Sequence, residues 1–112
     1  MSTMQQEFAL MGAVAEVKEL VRRRRLPEAE KKLRTLAARE PRNAEIMGLQ
    51  GAVAAERGKP AAAIDYFAKS LTLGAAPTTH RRNLHALVSL ALRHGQFDIA
   101  KGALRHPIPK SD

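Results

Sequence analysis

The chain has 112 residues, a net charge of +8 and neither Cys nor Trp, which is material for one domain and excludes a disulfide scaffold, a thiolate nucleophile and any Cys-ligated metal or iron–sulfur centre. Apolar residues make up 45% but aromatics only 4%, so the core has to be built from Ala, Leu, Val and Ile, a composition that suits close-packed helices. No apolar run approaches the ~20 residues that cross a bilayer. The short apolar stretch 8–15 is preceded by Glu7 and by no cation, unlike a secretory signal; a cytoplasmic protein without a membrane partner is expected.

Apolar residues at 10, 13, 14, 17, 20 and 21 recur at helical spacing and predict a first helix over about residues 4–23. Pro27 opens a second, because the N–H that proline lacks has no partner in a first turn, and Pro41 stops it. Asn43 is placed to cap a third helix, which Gly58 closes with a left-handed turn. Pro60 starts a fourth that ends at Gly74, and Thr78 or Thr79 is expected to cap a fifth that ends at Gly95. A short sixth runs from about Phe97 to Arg105, where Pro107 and Pro109 forbid continuation. No segment alternates with period two over a strand's length, so the fold class is all-α.

The six predicted helices repeat. Ala29 and Ala63 are 34 residues apart, as are Leu33 and Phe67, Ala13 and Met47, and Leu20 and Ala54; the next step is 37, from Ala63 to Ala100, Met47 to Leu84 and Gly58 to Gly95. A helix-turn-helix period of this length, with a small residue near the start of each second helix, resembles the tetratricopeptide repeat family. Met47, Gly51 and Ala54 stand where that family has its Trp, Gly and Tyr, with Ala63 and Phe67 following at the family's spacing. The resemblance implies one domain over 1–112, a right-handed α-α solenoid of three repeats (about 10–43, 44–77 and 81–106) with a tail at 107–112. Gly51 and Ala63 would let two antiparallel helices approach closely, and Ala61 would face water.

In such a solenoid the first helices line a concave groove that takes a peptide segment of a partner protein. Carried over residue by residue, the groove comprises Met11, Val14, Lys18, Val21 and Arg22 from the first repeat; Glu45, Gly48, Ala52, Ala55 and Glu56 from the second; and Arg82, His85, Ser89, Leu92 and Arg93 from the third. The Lys-and-Asn clamp with which some members hold a chaperone's C-terminal carboxylate is not present as a set. Its places fall on Val14 and Lys18, on Leu49, and on Arg82 and Ala86. The expected groove is small-walled in its middle and basic at both ends, which fits a protein or peptide partner of acidic character.

Catalytic constellations are scarce. His80, His85, His94 and His106 form no metal-ligand spacing. His85 and Ser89 are one helical turn apart but have no carboxylate to orient them. Asp65 and Asp98 sit near helix starts, where the dipole explains them, and no glycine-rich phosphate loop occurs. No catalytic, cofactor or metal site is expected, and the chain reads as an adaptor or scaffold, not an enzyme. Two alternatives stand beside this: a docking or localisation module of a larger enzyme, and a nucleic-acid-binding helical repeat that uses the run Arg22 to Arg25. One Tyr and three Phe supply few stacking surfaces, which argues against nucleic acid. With no polar capping helix after the sixth, Ile99, Ala103 and Leu104 are expected to form an exposed apolar edge that pairs two copies through the C-terminal helix.

Overall fold

The computed structural model describes residues 3–106. Six helices follow one another: α1 (Met4–Arg22), α2 (Leu26–Arg39), α3 (Ala44–Glu56), α4 (Pro60–Thr72), α5 (Pro77–Arg93) and α6 (Phe97–Ala103). No strand occurs among the described residues, and the fold is an all-α helical repeat. The predicted tail at 107–112, with its two prolines, lies outside the described residues.

Each helix begins and ends for a local reason. Thr3 accepts from the Gln6 N–H at 3.1 Å while the Gln6 side chain accepts from the Thr3 N–H at 2.7 Å, a capping box that starts α1. Asn43 caps α3 through the Ile46 N–H at 3.0 Å. The start of α5 differs from the expected threonine cap. Pro77 already occupies the first helical position, Ala76 precedes it without a side-chain cap, and Thr78 and Thr79 lie inside the first turn. Proline needs no partner for an N–H and its fixed φ is already helical, so it starts the helix earlier than a hydroxyl cap would. That additional turn absorbs the three residues by which the second repeat step exceeds the first.

The repeat is visible in backbone hydrogen bonds. Where the first helix of each repeat ends, the N–H groups of Arg25, Lys59 and Gln96 donate to the carbonyls of Leu20, Ala54 and Ala91 at 2.8, 2.9 and 2.7 Å. The preceding residues Arg24, Gly58 and Gly95 have φ of 62°, 73° and 72°, the left-handed conformation that lets the last carbonyls find donors. A turn later the N–H groups of Ala29, Ala63 and Ala100 donate to the carbonyls of Arg25, Lys59 and Gln96. These three alanines are 0%, 0% and 3% exposed, because each sits where two helices nearly touch.

Two apolar clusters fill the stack. One joins α1, α2 and α3 through Val17, Leu33, Ile46 and Val53; the other joins α3 to α6 through Ala54, Phe67, Leu87 and Ala103. Helix α3 feeds both, which is why it is apolar nearly all round. A Cβ on Gly51 would lie 2.9 Å from the Phe67 ring, so glycine there is what allows α4 to approach α3, as expected, and Ala61 is exposed. Toward the C-terminal end the repeat-equivalent residues Leu33 and Phe67 are buried while Leu104 is 65% exposed, with no helix packed over it among the described residues. Ala103 corrects the expected edge: it is buried in the second cluster, since it falls on the side of α6 that faces the neighbouring helices.

Candidate functional site

Helices α1, α3 and α5 stand side by side. Glu16 pairs with Lys32 of α2 at 2.7 Å, and Lys18 pairs with Glu45 of α3 at 2.7 Å, so two contacting sides of α1 are fixed and the side away from α2 opens to solvent. Between the three first helices lies a cavity of about 270 Å³, walled by Lys18, by Glu45, Leu49 and Ala52, and by Arg82 and Ala86. Gly48, Phe67 and Asn83 complete it. A Cβ on Gly48 would come within 2.4 Å of the Asn83 amide oxygen, so the absence of a side chain there lets α5 pack against α3.

Five residues expected in the groove, Lys18, Glu45, Gly48, Ala52 and Arg82, therefore meet around one cavity. Arg22, His85 and Arg93 are exposed on the first helices outside it, and Ser89 is half-buried. No hydrogen bond joins His85 to Ser89 among the described residues. Val14 departs from the expectation of a groove wall: it is 8% exposed and packs in the first cluster. Val21, also expected in the groove, departs in the same way: two turns beyond Val14 and one beyond Val17, it continues the core-facing arc and is half-buried against that cluster.

The charges divide into committed and uncommitted ones. Arg22 and Arg23 both hold Glu19, Arg24 reaches Glu56 at 2.5 Å, and Arg25 pairs with Glu28 at 3.6 Å. Hydrogen bonding from Arg22, opposed by partial desolvation and aided by Arg23, brings the Glu19 carboxyl down to about 2. Three carboxylates thus offset most of the charge of the four-arginine run within the fold, in the solvated turn it occupies. Arg82 and Arg93 make no ion pair among the described residues.

Sequence reasoning missed three features. Met4, Phe8 and Met11 are 71%, 63% and 65% exposed, and only Met11 had been placed in the groove; their spacing of four and three residues was the available signal. Asn83 and His80 are buried at 4% and 3% exposure. Asn83 stands 37 residues after Ile46, so a polar residue at a core position of the repeat was legible. The Nε2 atom of His80 is buried without a hydrogen-bond partner among the described residues, and burial, with a smaller contribution from His106, pushes its pKa below the ordinary histidine value.

Among the described residues no group of three His, Asp or Glu could hold a metal ion, and no helix is long and apolar enough to cross a membrane. The tetratricopeptide repeat family matches residues 14–78, more than half of the chain, which carries two complete turns of the repeat just described. The chain belongs to that family, whose members are generally protein–protein interaction modules. No curated protein matches it.

Proposed function

We propose that this chain is a non-catalytic cytoplasmic adaptor, a single domain that binds an acidic peptide segment of a partner protein along α1, α3 and α5. The observation that carries the reading is the cavity between Lys18 and Arg82, with Arg82 and Arg93 making no ion pair among the described residues while the Arg22 to Arg25 run is paired. Uncommitted cations at a rim select partners and raise encounter rates. The pairing of the arginine run with Glu19, Glu56 and Glu28 supports a protein partner over nucleic acid. A docking module of a larger enzyme would use the same face, and nothing in the fold favours that alternative.

Reversing Arg82 and Arg93 together to Glu should lower affinity for acidic peptides by about tenfold or more, because like charges then face each other, and leave the helical circular dichroism unchanged. Reversing Arg23 and Arg24 should matter little. A peptide-library screen in which acidic sequences are not enriched, or in which the turn arginines are the damaging ones, would refute this face. We extend the proposal to a homodimer through the exposed Leu104 and Ile99 edge. Lys101 and Arg105 flank that edge and repel their counterparts, so sedimentation should show self-association that strengthens with salt and vanishes in Leu104→Glu.

A further inference from the structure

The exposed side of α1 changes character along its length. Residues 4, 8, 11, 15, 18 and 22 follow one another at alternating steps of four and three, so they form one stripe on the helix surface. Its first half is apolar, with Met4, Phe8 and Met11 all more than half exposed. Its second half carries Lys18 and Arg22, paired with Glu45 and Glu19, and it runs into the cavity that Lys18 shares with Arg82. At 1.5 Å per residue, Met4 to Met11 covers about 10 Å and Met11 to Lys18 about another 10 Å.

Resting on the peptide-binding reading, we infer that the occupant is an amphipathic α-helix lying antiparallel to α1, with a carboxylate in its first turns beside Arg82 and large apolar side chains seated on Met11, Phe8 and Met4. Three observations fix this choice. The exposed apolar residues recur at steps of four and three along one helix face for about 10 Å, and a second helix laid alongside presents apolar anchors at the same spacing. Carboxylates are most stable at a helix N-terminus, and Arg82, without an ion pair among the described residues, meets α1 at Lys18 in its C-terminal half, which sets the partner's direction. Flexible methionines beside a phenylalanine accommodate apolar side chains of several shapes. A second copy of this chain fits less well, because each copy carries +8 and cations would face cations at low salt.

The test uses the full chain and a fluorescein-labelled 20-residue helical peptide, of about that length to match the stripe, with glutamates in its first turn and leucines about seven, eleven and fourteen residues further on. The double variant Phe8→Ser, Met11→Ser should bind it at least about tenfold more weakly, with circular dichroism unchanged because both side chains are exposed, and Phe8→Leu should retain binding. A peptide with the same residues in reversed order should bind more weakly than the parent. Affinity of the double variant within about twofold of wild type overturns the inference. If Arg82→Glu still weakens an acidic peptide in that case, the peptide-binding reading survives alone; if neither change matters, both fall. A wild-type dimer at low salt that Phe8→Ser converts to monomer makes the occupant a second copy and also overturns the inference.

Discussion

The first and third repeats share the same turn and the same buried alanine, yet they treat charge in opposite ways. In the first, Lys18, Lys32 and all four arginines at the turn find acidic partners. In the third, Arg81, Arg82, Arg93, Lys101 and Arg105 accompany a single acid, Asp98, and no ion pair forms there among the described residues. The backbone frame needs only the left-handed turn residue and the small residue after it, so the surface charges are free to serve something else. In the first repeat they brace the turn and its neighbours; in the third they face solvent and are available to a partner.

The shared frame can be broken most strongly at the alanine. Ala63→Leu forces α3 and α4 apart and should cost about 1–3 kcal/mol in denaturant unfolding, whereas Ala61→Leu, on the exposed side, should stay within about 0.5 kcal/mol. Equal effects at the two sites would mean that the repeat register is wrong. The turn offers a smaller and opposite change. Arg24 holds a left-handed φ that Gly58 and Gly95 adopt without strain, so Arg24→Gly should stabilise the chain by about 0.5–1 kcal/mol, the relieved strain exceeding both the added chain entropy and an exposed ion pair. A drop in the thermal midpoint would contradict that comparison.

The smallest effect sharpens the third repeat. His80 is buried and its folded pKa lies below the ordinary value of 6.5, so the unfolded chain binds the proton more readily. Its contribution to stability is fully present above about pH 6.5 and is lost as pH falls toward the folded value. Urea midpoints should decline from pH 7 to 5, and His80→Gln should flatten that slope; an unchanged slope would assign the decline to other groups.

Much of the frame was legible because its determinants are local. Pro27, Pro60, Asn43, Gly58 and Gly95 act within one turn of where they stand, and the alanines repeat at a fixed period. The start of α5 was misplaced because Pro77 and the two threonines that follow are all competent helix openers, and proline wins by needing no N–H partner. The cavity was partly legible through Lys18 and Arg82, whose places follow from the repeat. Val14 was misassigned because one residue of phase turns a helix by about 100° and exchanges groove for core. In the arginine run the pairs with Glu19 and Glu28 are three or four residues apart and were legible, whereas the Arg24 pair depends on Glu56, distant in sequence, and no local pattern reports it.

Because α3 contributes to both apolar clusters, the stack has no seam at which one repeat can open without disturbing the next. Unfolding that begins in the middle has to break both clusters together, whereas α6, with Leu104 uncovered and a single neighbouring helix pair, can detach alone. In hydrogen exchange the amides of α3 would then open only with the whole chain, while those of α6 exchange through local fraying. A linear array of repeats thereby behaves as one cooperative unit with one loosely held helix, and that helix packs on α5, which carries the uncommitted Arg82 and Arg93.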